Sequence, residues 1–419
     1  MKIAVIGAGI IGITTAYELA CDGHSVSVFE KTSAAAEGAS FGCTGVISSA
    51  LMLPNSLPPW PLAPSFGPLR KLGLVQMDSK FSMRDHKWLW RWKHASSIDA
   101  YVQRRRDAQN LVAYSQQRLN QIANESKLEF ERSTGQLVLV KTDTDLKGLD
   151  LLTQSLREES ISFKLLNQSE SMKVEPALSG QASFHSAIYF PDDEVANCRQ
   201  FALLLKSESA RLNVKFQFNT AVIGLEAALK PKLTTSIGTD TLTHDFDQVV
   251  LCVGAVPRKV MHALKASPPP ARVTGYSLSA NIREPLNAPR SAVMDLNSKI
   301  VISRMGNRVR VSGAGYLSGN LRKNVESETE VLYQALQNYF PGAIHMNHGT
   351  QTWVGSRSQY SDGLPCIGPS AVPGVWLNMG HGSNGWGMAL GAARSIADLI
   401  DGRATEVNCE KFHPARWLA

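Results

Sequence analysis

MKIAVIGAGIIGITTAYELACDGHSVSVFE, residues 1–30, decides the fold. Ile3 to Ile6 is a short apolar run, as a strand buried on both faces requires. Gly7, Gly9 and Gly12 follow at GxGxxG spacing. Gly7 permits a tight turn, Gly9 lets backbone approach a pyrophosphate, and Gly12 lets the next helix lie close to the strand. That helix starts near Ile10 and runs towards Cys21, with Ala16, Leu19 and Ala20 at helical spacing. Its N-terminus offers unpaired N–H groups and a positive dipole end to a diphosphate. Gly23-His24 turns the chain, and Ser25 to Phe29 makes a second strand. Glu30 closes that strand about 18 residues beyond Gly12, where a carboxylate accepts hydrogen bonds from a ribose 2′-hydroxyl. The stretch predicts an α/β chain with a Rossmann-type dinucleotide site. The acid selects an unphosphorylated ribose, hence FAD or NAD over NADP, and leaves those two open.

The 419 residues exceed what one hydrophobic core usually serves, so two lobes are expected. A 43% hydrophobic and 19% charged composition is that of an ordinary globular protein. The net charge of +7 suits an anionic cofactor, an acidic substrate or a membrane surface and selects none of them. No nucleic-acid partner and no metal are expected. The six cysteines (21, 43, 198, 252, 366 and 409) lack ligand spacing and read as free thiols in a reducing, cytoplasmic setting. A strand beginning at residue 3 leaves no room for a signal peptide. No apolar run approaches membrane-spanning length.

Beyond Glu30 lies a loop of small residues, Ala34 to Gly45, containing SFGCTG. Small residues there suit close approach to a ligand, or a plain surface loop. Prolines 54, 58, 59, 61, 64 and 68 then rule out a long helix or central strand, and the segment is a candidate lid. KWLWRWK, residues 87–93, is an interfacial membrane anchor on one reading and aromatic packing between lobes on the other. The usual burial of tryptophan favours packing. Asp99 to Ser126 is an amphipathic helix. Strands are expected at Gln136–Lys141, Ile161–Leu166 and Ala187–Phe190. A helix capped at Asn197 runs to about Leu212, and strands follow at Lys215–Phe218 and Asp247–Val253. The block from 187 to 253 is expected to return to the first sheet. Thr274–Ile282, Ile300–Met305 and Arg308–Ser312 form antiparallel strands, the last two joined at Gly306-Asn307. A strand at Val375–Asn378, the loop GHGSNGWG and a helix from Met388 to Ile400 end the chain.

Gly380 to Gly387 repeats the device of a Gly-rich turn opening a helix. Its N–H groups could hold negative charge on a reduced flavin ring, or the turn could serve the backbone alone. His381 within it reads as a structural imidazole rather than a base. Arg357 follows Gly355; a guanidinium there clamps a carboxylate bidentately, or pairs with an acid or a diphosphate. Tyr276 offers a phenol that would close over the same carboxylate, or is an ordinary strand tyrosine.

Seven blocks in order resemble the D-amino acid dehydrogenase family, within the wider D-amino acid oxidase/glycine oxidase group. They are residues 7–30, ASFGCTG with its proline-rich continuation, VEPAL at 174–178, FPDDE with NCRQF, VTGYSL at 273–278, WVGSRSQYSDGLPCIG, and LNMGHGSNGWGMALG. The closing FHPARW is similar to the family's C-terminal motif. The resemblance implies a Rossmann-type FAD-binding domain with a second, α+β substrate domain on a mainly antiparallel sheet. Residues 1–80, 192–265 and 350–419 would form the FAD domain, and 81–191 with 266–349 the substrate domain. Gly7, Gly9, Ile10, Ile11, Gly12, Glu30 and Lys31 would hold the ADP half, with Val222 and Gly254 on the adenosine side. Ser40, Gly42, Cys43, Thr44 and Gly45 would surround the isoalloxazine together with Gly355, Gly382, Ser383, Asn384, Gly385 and Trp386. Arg357 aligns with the carboxylate-binding arginine and Tyr276 with a tyrosine of the substrate lobe.

The implied reaction is oxidative deamination of a D-amino acid to a 2-oxo acid and ammonia, by hydride transfer from Cα to flavin N5. The alternative is oxidation of glycine, sarcosine, proline or hydroxyproline on the same fold. The family's dehydrogenases pass electrons towards quinones at the inner face of a membrane, so a quinone acceptor and a peripheral membrane contact are implied; self-association into a homo-oligomer is left open. The sequence departs from the family pattern at Cys43 and Thr44 (usually Asn-Ala), at Ser356 and Ser358, and at Asn384.

Overall fold

The computed structural model describes residues 1–51, 75–77, 86, 88, 90–92, 98–226, 230–254, 260, 270–317, 325–345 and 349–417. The proline-rich stretch read as a lid lies outside them. Strand β1 (Lys2–Ile6) turns at Gly7 into helix α1 (Ile10–Cys21) and returns as β2 (Ser25–Phe29). β8 (Lys215–Gln217), β12 (Gln248–Leu251), β20 (Val375–Met379) and β19 (Cys366–Pro369) complete a six-stranded sheet ordered β19-β20-β12-β1-β2-β8. All its pairs are parallel except β19–β20. Counted from β1, the five parallel strands run 3-2-1-4-5, the order of a doubly wound sheet. A Cβ on Gly12 would stand 1.8 Å from the Gly7 carbonyl oxygen, so only glycine lets α1 settle this close to the β1 turn.

A second sheet of eleven strands follows the order β3-β7-β5-β14-β15-β16-β13-β17-β4, with β18 on β13 and β6 on β7. Its members are β3 (Val46–Ile47), β4 (Val75–Met77), β5 (Arg132–Val140), β6 (Lys164–Asn167), β7 (Ser186–Ala196), β13 (Ala271–Asn281) and β14 (Ala292–Asp295), then β15 (Ile300–Met305), β16 (Arg308–Ser312), β17 (Gly315–Leu317) and β18 (Gln351–Gln359). It is mainly antiparallel; β14–β5 and β17–β4 are parallel. A small sheet, β9 (Ala221–Glu226), β10 (Lys232–Ile237) and β11 (Asp240–Asp245), covers one face of the six-stranded sheet through Val222, Leu225, Leu233 and Phe246.

The pairing crosses the expected division of the chain. β7 belongs to the second sheet rather than the first, and it continues through Pro191 to Ala196. The ladder permits this because its register jumps from Phe190–Gln136 to Glu194–Thr134, so the proline falls in a bulge and costs no bond. β18, which lies within the 350–419 stretch assigned to the FAD domain and carries Arg357 on a strand rather than a loop, pairs with β13. The Ile98–Glu125 helix packs on the Rossmann side, where Ala108, Leu111, Val112, Leu119 and Ile122 join α1 and the Gly385–Ile400 helix in one core. The face of the second sheet carrying Tyr276, Leu278, Val309 and Val311 is buried under the Val325–Tyr339 helix.

Within the Rossmann-side core lies a fully buried carboxylate. Glu18 on α1 takes Arg118 Nη2 at 2.6 Å and Arg394 Nη1 at 2.8 Å, and so ties α1 to the two helices beside it. Arg394 also pairs with Asp22 and Asp398. Glu18→Ala would take the carboxylate from Arg118 while Arg394 keeps Asp22 and Asp398, and should therefore cost about 3 kcal/mol, the low end for a broken buried pair. Urea unfolding of the variant and the native chain measures it.

Candidate functional site

The sheets enclose a cavity of about 1220 Å³. At one end stands the α1 turn. Gly9 caps α1 without a side-chain hydrogen bond, and the Ile10 N–H donates to Ser40 Oγ at 3.0 Å. Glu30 Oε2 accepts from the Ala8 N–H at 2.8 Å, and Oε1 from the Thr32 N–H at 3.0 Å. These bonds fix the carboxylate at the mouth of the turn. Beside it a short 3₁₀ turn, Gly382–Asn384, opens the Gly385–Ile400 helix, whose N-cap Asn384 makes no side-chain cap either; Thr14 Oγ1 on α1 donates to the Ala389 carbonyl at 3.2 Å, so the two helix starts are neighbours. Two helix N-termini, each a source of positive potential, thus face one elongated cavity.

Most of the expected residues meet on its wall. Gly7, Gly9, Ile10, Ile11, Glu30, Lys31, Ser40, Gly42, Cys43, Thr44, Val222, Gly254, Gly355, Arg357, Gly382, Ser383, Gly385, Trp386 and Tyr276 all line it. Gly12, Gly45 and Asn384 are not on the wall. Gly12 is spent on helix packing, as above. Gly45 belongs to the β3–β7 pairing, where its carbonyl accepts from the Ala196 N–H at 2.9 Å. Trp386 is held from behind: its Nε1 donates to the Ala196 carbonyl at 3.0 Å, and its ring lies 5.3 Å from that of Phe201.

Arg357 is enclosed by protein except on the cavity side. Burial pushes its guanidinium down to about 10, opposed by the nearby Cys43 thiol, so it stays charged at neutral pH. Among the described residues no carboxylate pairs with it, and its Nε has no partner. The guanidinium lies flat along the second sheet. A Cβ on Gly315 would stand 2.6 Å from its Nη2, and one on Gly275 would stand 3.3 Å from its Nη1.

Tyr276 is not brought to the guanidinium. The β13–β18 register sets Val273 opposite Arg357, Gly275 opposite Gly355 and Ser277 opposite Trp353, so these six share one face. Tyr276 pairs with Val354 on the other face, and its ring meets Tyr316 at 6.2 Å, nearly edge-on. The side chains that share the Arg357 face are Trp353, Ser277 and, on β16, Arg310 and Ser312.

Arg310 is a site residue that the sequence reading missed. Its Nη1 donates to the carbonyls of Phe41 at 2.6 Å and Cys43 at 2.8 Å, while Ser303 Oγ donates to that of Thr44 at 2.7 Å. The second sheet thereby fixes the SFGCTG loop over the cavity. The only hint was the alternation Arg308-Val309-Arg310-Val311, which marks a two-faced strand without saying what its polar face meets. Arg310 itself is not on the cavity wall; Trp353, Asn378 and Cys198 are, and were not anticipated.

The cavity's polar atoms fit a large polar ligand. Arg357 Nε, Asn378 Oδ1, His381 Nε2 and Ser383 Oγ are buried there without protein partners, an arrangement that needs a bound group to satisfy it. His381 is 5% exposed, and burial pushes its imidazole down to about 3. It is therefore neutral at working pH, a hydrogen-bonding group rather than a proton donor in catalysis. The unfolded imidazole titrates near its ordinary value, so the unfolded chain binds the extra proton between the two pKa values. The stability tied to the neutral ring is complete above the unfolded pKa and is lost as pH falls. Moving from pH 6 to pH 5 should cost the native chain roughly 1 kcal/mol that His381→Gln does not lose, read from urea midpoints of both proteins at each pH.

Comparison with known proteins agrees with this geometry. The family model described as DAO, FAD dependent oxidoreductase, matches residues 2–399. A D-amino acid dehydrogenase from Bradyrhizobium diazoefficiens is 31% identical over 412 residues, covering 97% of each chain. D-amino acid dehydrogenase 1 of Mesorhizobium japonicum is 31% identical over 422 residues, covering 100% of each. Among solved structures, glycine oxidase from Geobacillus kaustophilus superposes with a TM-score of 0.76 at 20% identity over 99% of both chains. L-proline dehydrogenase from P. horikoshii gives 0.72 at 18% identity, over 100% of this chain and 97% of that one. At these identities the two structures speak for the fold alone.

Proposed function

Because the chain belongs to the DAO family of FAD-dependent oxidoreductases, we propose that it deaminates a D-amino acid oxidatively, giving a 2-oxo acid and ammonia. The observation that carries this reading is Arg357: an enclosed, charged guanidinium without a carboxylate partner among the described residues, on the wall of the cavity. Such a group calls for an anion, and a planar fork suits an amino acid carboxylate.

FAD, when bound, supplies a two-electron acceptor. The chain's residues would hold it at both ends. The Gly7–Gly12 turn and Glu30 would take the ADP half, with Lys31, Val222 and Gly254 alongside. Ser40 to Thr44, Gly355 and Gly382 to Trp386 would surround the ring, with the uncapped helix start at Gly385 favouring negative charge there. Arg357 would orient the substrate by its carboxylate. The substrate's amine, buried beside that cation, is pushed towards its neutral form, whose lone pair assists cleavage of the Cα–H bond. Tyr276 has no part in this grip; Trp353 and Ser277 share the guanidinium's face instead.

The test is bleaching of the purified yellow protein without oxygen, by a panel of D- and L-amino acids, glycine, sarcosine and proline. Bleaching by D-amino acids supports the reading, bleaching by glycine, sarcosine or proline alone replaces it, and no bleaching removes it. With a bleaching substrate in hand, Arg357→Ala should lower kcat/KM roughly a hundredfold or more. A near-native value would take Arg357 out of the site.

We further infer that a quinone receives the electrons at a membrane surface. No helix among the described residues is long and apolar enough to cross a membrane, so contact would be peripheral. Of the three tryptophans in KWLWRWK, Trp88 is buried beside Ala271 and Val273, and Trp92 stacks on it at 6.4 Å. Trp90 is 62% exposed and adjoins Arg91, which suits an anionic interface. Co-sedimentation with anionic liposomes should fall several-fold in Trp90→Ala; unchanged binding counts against the contact.

A further inference from the structure

All six cysteines are free thiols, but two of them are neighbours. β3 and β7 pair antiparallel, with Val46 opposite Val195 and Ile47 opposite Glu194, and the Ala196 N–H donates to the Gly45 carbonyl at 2.9 Å. Two residues from that bond on each segment stand Cys43, in the loop, and Cys198, the first residue of the Cys198–Arg211 helix. The two thiols are close enough to shift each other's titration, and both residues line the cavity.

The pair is asymmetric. Cys43 is half-buried and open to the cavity, and its Sγ accepts from the Gly45 N–H at 3.4 Å. The Cys198 thiol, the Gly45 N–H and the charges of Arg310 and Arg357 together hold its thiol well below the usual range despite burial. Cys198 is buried, and burial pushes its thiol up. The Cys43 carbonyl is pinned by Arg310 at 2.8 Å, so the loop cannot carry the sulfur away without losing that bond. A thiolate-prone sulfur open to small molecules, with a protonated thiol against it, is the pairing of a nucleophilic and a resolving cysteine. The other four differ. Cys21 is exposed, but burial of its sulfur and neighbouring acids push its thiol up. Cys252, Cys366 and Cys409 are buried and pushed up likewise.

We propose that Cys43 and Cys198 are a peroxide-oxidisable dithiol that closes reversibly into a disulfide in the cavity wall. The Cys43 thiolate attacks one oxygen of hydrogen peroxide. The O–O bond breaks, a Cys43 S–OH forms, and hydroxide leaves to become water. The Cys198 sulfur gives up its proton and attacks the Cys43 sulfur. The S–O bond breaks, the S–S bond forms, and the hydroxyl leaves with a proton as a second water. Two thiols and one peroxide thus give one disulfide and two waters, and a dithiol reductant reverses the change. The chemistry depends only on the loop, β7 and the helix start, so it stands apart from the choice of substrate.

The flavin-loaded enzyme is treated with one equivalent of hydrogen peroxide, denatured and alkylated with iodoacetamide, and its mass and peptides are read. Four of the six cysteines should then alkylate, and a peptide joining Cys43 to Cys198 should appear and vanish after dithiothreitol. The pair should react about tenfold faster than Cys21. In Cys198→Ser, Cys43 should stop at the S–OH stage and be captured by dimedone. Six alkylated cysteines, or oxidation of Cys21 ahead of the pair, overturns the proposal, and that readout needs neither a variant nor turnover.

Discussion

Everything in the cofactor half depends on one close approach of backbone to backbone. Helix α1 rests so near the Gly7 carbonyl that a single methyl group at residue 12 would have no room. This proximity aims the N-terminus of α1 at the carboxyl edge of the sheet, where the strands of a doubly wound fold leave their crevice. It also lets Glu30, one strand over, reach back to the Ala8 N–H. The turn, the helix dipole and the acid form one unit because their spacing is short and rigid.

That unit is buttressed from behind by charge. Glu18 lies one helical face away from the cavity, and its two arginines come from helices distant in sequence. A buried pair of this kind adds little net stability over apolar packing. Its geometry is exacting, however, and it admits one arrangement of α1 with its neighbours. The Gly385–Ile400 helix, which carries Arg394, starts beside α1, where Thr14 Oγ1 donates to the Ala389 carbonyl. One ion cluster therefore sets the relative placement of the two helix N-termini that face the cavity.

The Rossmann half was legible because its signals are local. Glycine spacing, a helix and an acid fall within thirty residues, and each acts on its sequence neighbours. The late turn at Gly382–Asn384 was legible for the same reason. What could not be read was partnership across the chain. Nothing near Arg310 announces that it will hold the carbonyls of Phe41 and Cys43, and nothing near Glu18 names Arg118. Tyr276 reaches the cavity wall as expected, while its surroundings, Tyr276-Ser277-Leu278-Ser279-Ala280, alternate and put it with Leu278 and Ala280 on the face opposite Arg357. Pro191 misled in the ordinary way, since a bulge that shelters a proline is visible only once the partner strand is known.

The β13–β18 ribbon has a consequence for how such a protein diversifies. It is two-sided: Trp353, Arg357 and Ser277 share one face, and Tyr276 and Val354 share the other, against the core beneath the Val325–Tyr339 helix. Changes at Trp353 can reshape the cavity wall while leaving the hydrophobic seam untouched, whereas changes one step along, at Tyr276 or Val354, disturb wall and seam together. Variation on one edge of the ladder thus carries small structural risk, while Arg357 stands two rungs along the same face.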